Sequence, residues 1–342
     1  MAANNNNLGL AKKAKKDEFY TQLPDIEKEL RHYENHFRNK VVLCNCDDPK
    51  VSNFFVFFVR NFKHLGLKRL ITTCYKNNHP DIFSNNDNEQ AVYLIYDGGD
   101  DNNPDPVKVS TQAIPLKGNG DFRSKECIEL LKQADIVVTN PPFSLFREYV
   151  AQLVKYDKKF LIIGNQNNIA YKEIFPLIQG NKVWLGYSCG QQEFEVPSDF
   201  EKDNTYYRSD GKKYAKFGNI CWFTNLEHKK RHNEIDLYRT YNEDFYPKYV
   251  NFDAINVDRI QDIPFDYYGM MGVPITYIEK YCPEQFELVG FSLALANMDI
   301  IKKELGKVGG GPRFYIRKDG QLKRLYERLI IKRKHDEETN GN

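Results

Sequence analysis

Asn140, Pro141, Pro142 and Phe143 follow directly on the apolar run Ala134 to Val138 in the string "ADIVVTNPPFSLF". A buried strand ending in a carboxamide and two prolines presents a rigid, acceptor-rich loop, and open α/β sheets place ligands at the carboxyl ends of their strands. The Asn140 side-chain oxygen and the Pro141 carbonyl can together accept both hydrogens of a planar exocyclic amino group. That raises the electron density on the nitrogen as it attacks an electrophile. Proline removes competing backbone donors, and Phe143 offers a face on which a base can stack. The plainer reading is a strand-ending turn, since Asn-Pro commonly opens a loop. The context favours a site, because a strand precedes the tetrapeptide and the helix-like "SLFREYVAQLVKY" follows it.

Holding such a loop takes a sheet. The run Lys40 to Cys46 reads as a first strand, and Ser52 as the cap of a helix through "NFFVFFVRNFKHLG" that ends near Gly66. "LKRLITTCY" is a second strand, "ADIVVTN" another, and "KFLIIGNQ" a further one after a helix at Leu145 to Lys155. This alternation predicts an α/β fold with a doubly wound, largely parallel sheet. "AVYLIYD" and "VKVSTQAI", separated by the turn-rich "GGDDNNPDP", predict an inserted hairpin.

Composition sets bounds. A chain of 342 residues that is 41% hydrophobic can bury a large core, as one elaborated domain or two. The formal net charge is only +2, yet Lys and Arg number 49, so a nucleic-acid partner depends on where they cluster. Seven cysteines, without a CxxC pair or a cationic-then-apolar leader, fit a reducing cytoplasm rather than a disulfide scaffold. No apolar run approaches the roughly 20 residues that span a bilayer, so no membrane association is expected.

The NPPF tetrapeptide resembles the catalytic motif of amino-methylating, S-adenosylmethionine-dependent DNA methyltransferases, and its Asn-first form the adenine-specific branch. "KAKKDEFYTQ", "VVLCNCDDPKVSNFF", "GNGDFRSKE" and "GVPITYIEKYCPEQFELVG" are similar to adenine-specific methyltransferases of the EcoRI type, so that the likeness spans about 12 to 290. It implies a Rossmann-like fold, S-adenosylmethionine as cofactor and double-stranded DNA as partner. It also implies the modification enzyme of a restriction-modification system, with a cognate restriction endonuclease acting on the same site. The usual glycine-rich loop after the first strand is replaced by Asn45-Cys46-Asp47-Asp48-Pro49. Cys46 can still turn tightly, and Asp47 or Asp48 can accept from the methionine ammonium; the alternative is an Asp capping the next helix. By the same resemblance, Asp121 accepts from the cofactor's adenine amino group with Phe122 beside the ring, and Phe19, Tyr20 and Thr21 close over the methionine part. A Gly-Asp turn and a helix-capping Thr are the alternatives.

The last third is basic and aromatic. "GKKYAKFGNICWFTNLEHKKRHNE" interleaves Lys212, Lys213, Lys216, Lys229, Lys230 and Arg231 with Tyr214, Phe217, Trp222 and Phe223. The cations suit DNA phosphates, with Lys212, Lys213, Lys229, Lys230 and Arg231 as candidate DNA-binding residues, and aromatics can stack on bases. For Trp222 and Phe223 a core strand is the preferred reading. His228 and His232 have the spacing of a helical metal pair, but Cys221 adds only one more ligand and no metal is expected. "KDGQLKRLYERLIIKRK" reads as a basic amphipathic helix, and "KVGGGPRFYI" before it as a loop.

The organisation expected is a mobile basic arm over 1–16, a catalytic, cofactor-binding domain over 17–190, a target-recognition and C-terminal region over 191–334, and a disordered tail over 335–342. The function expected is transfer of a methyl group to the exocyclic amino nitrogen of an adenine flipped from duplex DNA. Two alternatives remain open: an RNA or protein-glutamine methyltransferase, and a DNA-binding module that has lost catalysis.

Overall fold

The computed structural model describes residues 20–75, 90–196 and 205–335; Phe19, the basic arm over 1–16 and positions 336–342 lie outside the described residues. The chain divides into two compact units, Met1–Ile178 with Lys182–His228, and Gln179–Asn181 with Lys229–Asn342.

The first unit is built on one ten-stranded sheet. Its strands are β1 (Tyr20–Thr21), β2 (Val41–Asn45), β3 (Arg69–Cys74), β4 (Val92–Tyr96), β5 (Ile114–Pro115), β6 (Ile136–Thr139), β7 (Lys159–Asn165), β8 (Trp184–Glu195), β9 (Thr205–Tyr207) and β10 (Lys213–Thr224). They run in the order β1-β8-β10-β7-β6-β2-β3-β4-β5, with β9 on β10. The central strands β3, β2, β6 and β7 are mutually parallel, and antiparallel strands extend the sheet on both sides. The expected α/β, doubly wound core is this central group. From β2 the chain crosses to β3 on one side and returns with β6 on the other, which makes the carboxyl ends of β2 and β6 the switch point where such sheets open a crevice.

Local sequence explains the helices between these strands. The helix α1 (Leu23–Leu30) carries Pro24 at its start, where a missing N–H costs nothing. In α2 (Asn53–Arg60) the Ser52 hydroxyl accepts from the Phe54 and Phe55 amides, and four phenylalanines pack with Val42, Val138, Ile163 and Trp222 in the main core. In the expected hairpin over residues 91–114 the second strand is largely replaced by α3 (Pro106–Ser110), and of the segment after β4 only β5 returns to pair with it, on the side away from β3. Asp105 caps the Val107 amide at 3.0 Å and Pro106 opens the helix, a start signal that outweighs the β-branched residues after it. Then α4 (Lys125–Gln133) leads into β6, and α5 (Phe146–Lys155) follows the NPPF loop through a short 3-10 turn, Phe143–Leu145.

The second unit carries a four-stranded sheet in the order β11 (Ile255–Asn256), β12 (Met270–Pro274), β16 (Arg328–Arg333), β13 (Phe286–Phe291), and a hairpin of β14 (Tyr315–Lys318) with β15 (Gln321–Arg324). The basic segment expected as a helix is therefore β15 and β16, and the expected loop before it runs into the first two residues of β14. Asp319 and Gly320 take positive φ, 51° and 77°, the geometry of a two-residue hairpin turn, and the consecutive Leu329, Ile330 and Ile331 are all buried. Among the described residues no helix is long and apolar enough to cross a membrane.

Candidate active site

The turn after β2 is the tightest point of the site. Cys46 holds φ at +72°, a left-handed conformation that glycine adopts without strain, so the turn expected despite the missing glycine is made by the small thiol residue. The Asp47 amide donates to the Thr73 carbonyl at 2.9 Å, which fastens the turn to the end of β3. Asp48 accepts from the Lys50 amide at 2.9 Å, and its carbonyl accepts the Ser52 amide at 2.8 Å. Asp47 faces inward: its Oδ1 accepts the Ser52 hydroxyl at 2.7 Å and its Oδ2 meets the hydroxyl of Thr139, the last residue of β6. Burial is the main cause that raises its carboxyl to about 7; the hydroxyls of Thr139 and Ser52 work against it, and the neighbouring Asp48 adds to it.

Asn140 follows Thr139 at the same end of the sheet. Its Nδ2 lies 3.4 Å from Thr21 Oγ1, and the Thr21 carbonyl accepts from Asn53 Nδ2 at 2.8 Å. Tyr20 and Thr21 form β1, paired with Glu195 and Phe194 of β8, so a two-residue strand carries Thr21 to the NPPF loop. Pro141 is buried, Pro142 is half-buried with its carbonyl accepting the Leu145 amide at 2.9 Å, and Phe143 packs partly buried against the main core.

The segment before α4 completes the ring. Gly120 has φ +76°, and a Cβ there would stand 2.3 Å from the Cys74 carbonyl at the end of β3, so no larger residue fits. Asp121 accepts from Arg123 through both oxygens, at 2.9 Å from Nε and 2.7 Å from Nη2, and Arg123 Nη1 also reaches Glu148 at 2.7 Å. The guanidinium holds the Asp121 carboxyl below its usual range. Phe122 is buried edge-on against Tyr149, with ring centroids 5.0 Å apart, and the Arg123 guanidinium lies over its ring, 5.2 Å from the centroid. Tyr149, buried in α5, gives its hydroxyl to Asn45 Oδ1 at the end of β2. Thr21, Cys46, Asp47, Asp48, Asp121, Phe122 and Asn140 are thus linked through one network of contacts at the switch point.

Arg123, Thr139 and Tyr149 were not singled out in the sequence, and Asn45 was named only as the start of the turn, without a role of its own. Thr139 and Asn45 could have been, as the polar residues that end two buried strands. Arg123 and Tyr149 carry no local signal, because their partners lie on other elements.

Lys212 and Lys213 belong to the first unit, and Lys229, Lys230 and Arg231 to the second. Lys212 is paired with Glu195 at 2.8 Å, and the Lys213 ammonium stands 5.8 Å from the Tyr207 ring centroid. Lys229, Lys230 and Arg231 form a 3-10 turn, Lys229–His232, in the second unit, where Arg231 donates to Asn181 Oδ1 at 2.8 Å. Trp222 and Phe223 are fully buried in β10, which is the core reading preferred for them. His228 bonds the Leu185 carbonyl at 2.9 Å and His232 bonds Glu284 at 3.0 Å.

The family model described as adenine-specific methyltransferase EcoRI matches residues 7–334. The chain belongs to the EcoRI family of adenine-specific methyltransferases. It is 51% identical to the type II methyltransferase M.EcoRI of Escherichia coli over 87% of this chain and 93% of that one. Identity is 40% with the type II methyltransferase M.MgeORF184P of Mycoplasma genitalium, covering 94% of this chain and 97% of the relative. It is 36% with M.MpnI of Mycoplasma pneumoniae, covering 95% and 98%. No solved structure matches. As an adenine-specific DNA methyltransferase, this EcoRI-family enzyme uses a methyl donor.

Proposed function

We propose that this EcoRI-family methyltransferase moves the methyl group of S-adenosylmethionine to the exocyclic amino nitrogen of an adenine turned out of duplex DNA. The bond from Asn140 Nδ2 to Thr21 is the observation that carries this reading: it orients the amide so that Oδ1 is on the side away from Thr21, as an acceptor must be to receive the amino group. Asn140 Oδ1 and the Pro141 carbonyl accept the two amino hydrogens, and Phe143 stacks on the base. Bound at the switch point, S-adenosylmethionine supplies a sulfonium-activated methyl carbon. Asp121 and Phe122 take its adenine. Cys46 and Asp48 face its methionine end, where Asp48 accepts from the ammonium, and Thr21 closes over it. Catalysis comes from orientation and from two fixed acceptors, with no covalent enzyme intermediate.

Flipping follows from geometry. An amino group paired within the duplex cannot reach Asn140 and a methyl carbon together, so the base must leave the stack. Lys212, Lys213, Lys229, Lys230 and Arg231 would hold phosphates, within a target-recognition region over 191–334. The relatives' type II naming supports a restriction-modification setting; in that setting a cognate endonuclease is the proposed partner and the cytoplasm the proposed compartment. Duplex DNA, RNA and protein incubated with the labelled cofactor test the assignment: label must enter adenine of duplex DNA, and label confined to RNA or protein would refute it.

A further inference from the structure

Thr139 ends β6 and is the covalent neighbour of Asn140, so whatever holds its side chain holds the start of the NPPF loop. Its hydroxyl oxygen is within hydrogen-bonding reach of two oxygens at once, the Asn45 carbonyl and Asp47 Oδ2. The other Asp47 oxygen takes the Ser52 hydroxyl, whose own oxygen accepts the Phe54 amide at 3.1 Å.

Counting protons shows what this arrangement requires. Ser52 gives its single hydroxyl proton to Asp47 Oδ1. Thr139 has one proton and two oxygens facing it. With Asp47 ionised, one of those two contacts would set lone pair against lone pair in a buried site. With a proton on Oδ2, Asp47 donates to Thr139, Thr139 donates to the Asn45 carbonyl, and each contact holds one proton.

We propose that Asp47 is a positioning residue for methyl transfer, acting in its neutral form as the donor that fixes Thr139 and, through it, Asn140. This rests on the role given to Asn140 above. The titratable groups around Asp47 are Cys44 on β2, Cys46 and Asp48 on the turn, and Tyr149 from α5. Burial and the charge of Asp48 favour retention of the proton and raise the carboxyl to about 7, while burial holds the Cys44 thiol and the Tyr149 hydroxyl well above their ordinary values, so that neither adds an opposing or supporting charge there.

The test is a set of substitutions read by kcat, by calorimetric cofactor affinity and by infrared spectroscopy of the free protein. Asp47→Ala should lower kcat on the order of tenfold to a hundredfold, the cost of a misplaced reacting group. Asp47→Asn should recover most of that loss, because its amide N–H donates to Thr139 while its oxygen still accepts from Ser52. Thr139→Val should match Asp47→Ala, Thr139→Ser should restore the rate, and cofactor affinity should stay within about twofold throughout. The wild-type minus Asp47→Asn infrared difference should contain a protonated carboxyl near pH 6 that fades as the pH passes about 7. The proposal is overturned if Asp47→Asn is as slow as Asp47→Ala, which would make the charge the working feature. A wild-type rate in Thr139→Val, or an ionised carboxyl near pH 6, overturns it equally. Should Asp47→Ala fail to fold, the Thr139 pair and the infrared signal decide. Asn140→Ala tests the underlying reading separately: a wild-type rate there sinks that reading, whereas failure of the Asp47 series alone leaves it standing.

Discussion

Asn140 Nδ2 donates to Thr21 Oγ1 at 3.4 Å, so the residue that opens the NPPF loop is steadied by a two-residue strand more than a hundred positions earlier in the chain. The contact is long for a hydrogen bond, as expected of a site that tightens only around its substrates.

Thr21→Val removes the hydroxyl while keeping the shape. The expected outcome is a fall in kcat on the order of tenfold with KM for DNA little changed, since Thr21 acts on the orientation of Asn140. Steady-state kinetics on a cognate duplex checks this, and Thr21→Ser should recover the rate.

Asp121→Ala should weaken cofactor binding by about 1–3 kcal/mol, because the partner of a buried amino group is lost. Calorimetry with S-adenosylmethionine gives the answer directly. Unchanged affinity would leave Asp121 only its ion pair with Arg123.

Much of this site was legible because its signals are local. The NPPF string, the first strand and the Ser52 cap each announce themselves within a few residues, and the Asp47-Asp48 pair stands where a ligand loop belongs. The links that make one site of these pieces are not local: Thr139 meets Asp47 and Tyr149 meets Asn45 across 92 and 104 positions of sequence. The C-terminal misreading has another cause. Leu322, Leu325, Leu329 and Ile330 fall at helical intervals as readily as on strands, and the Asp319-Gly320 hairpin signal was the feature that should have outweighed them.

Asp47 should also leave a mark on stability. The unfolded chain releases this proton near the ordinary value of 3.8, whereas the folded protein keeps it up to about 7. Between those values the folded state binds more protons than the unfolded one, so this group's contribution to stability falls as pH rises and levels off above about 7. Asp47→Asn should flatten that part of a stability-versus-pH curve measured by denaturant unfolding. An unchanged slope would mean that Asp47 is already ionised in the fold.

Replacing Lys229, Lys230 and Arg231 together by Ala should reduce the slope of log affinity against log salt by roughly 0.9 for each phosphate that is no longer neutralised. Fluorescence anisotropy on duplex DNA across a salt series checks it. An unaltered slope would move the phosphate-binding surface elsewhere.

A duplex carrying 2-aminopurine at the target position should brighten on binding, as the base leaves its stacked neighbours. Phe143→Ala should bind with higher fluorescence and methylate more slowly, because the stacking face that quenches the base also holds it. No change in either protein at a methylated site would remove flipping from the mechanism.

The most direct test of the central claim is the rate of methyl transfer to adenine in duplex DNA by Asn140→Ala, measured beside its cofactor affinity. The expected result is a loss on the order of a hundredfold or more in rate with S-adenosylmethionine affinity nearly intact, as for a hydrogen bond made mainly in the transition state. Transfer at the wild-type rate by Asn140→Ala would contradict it.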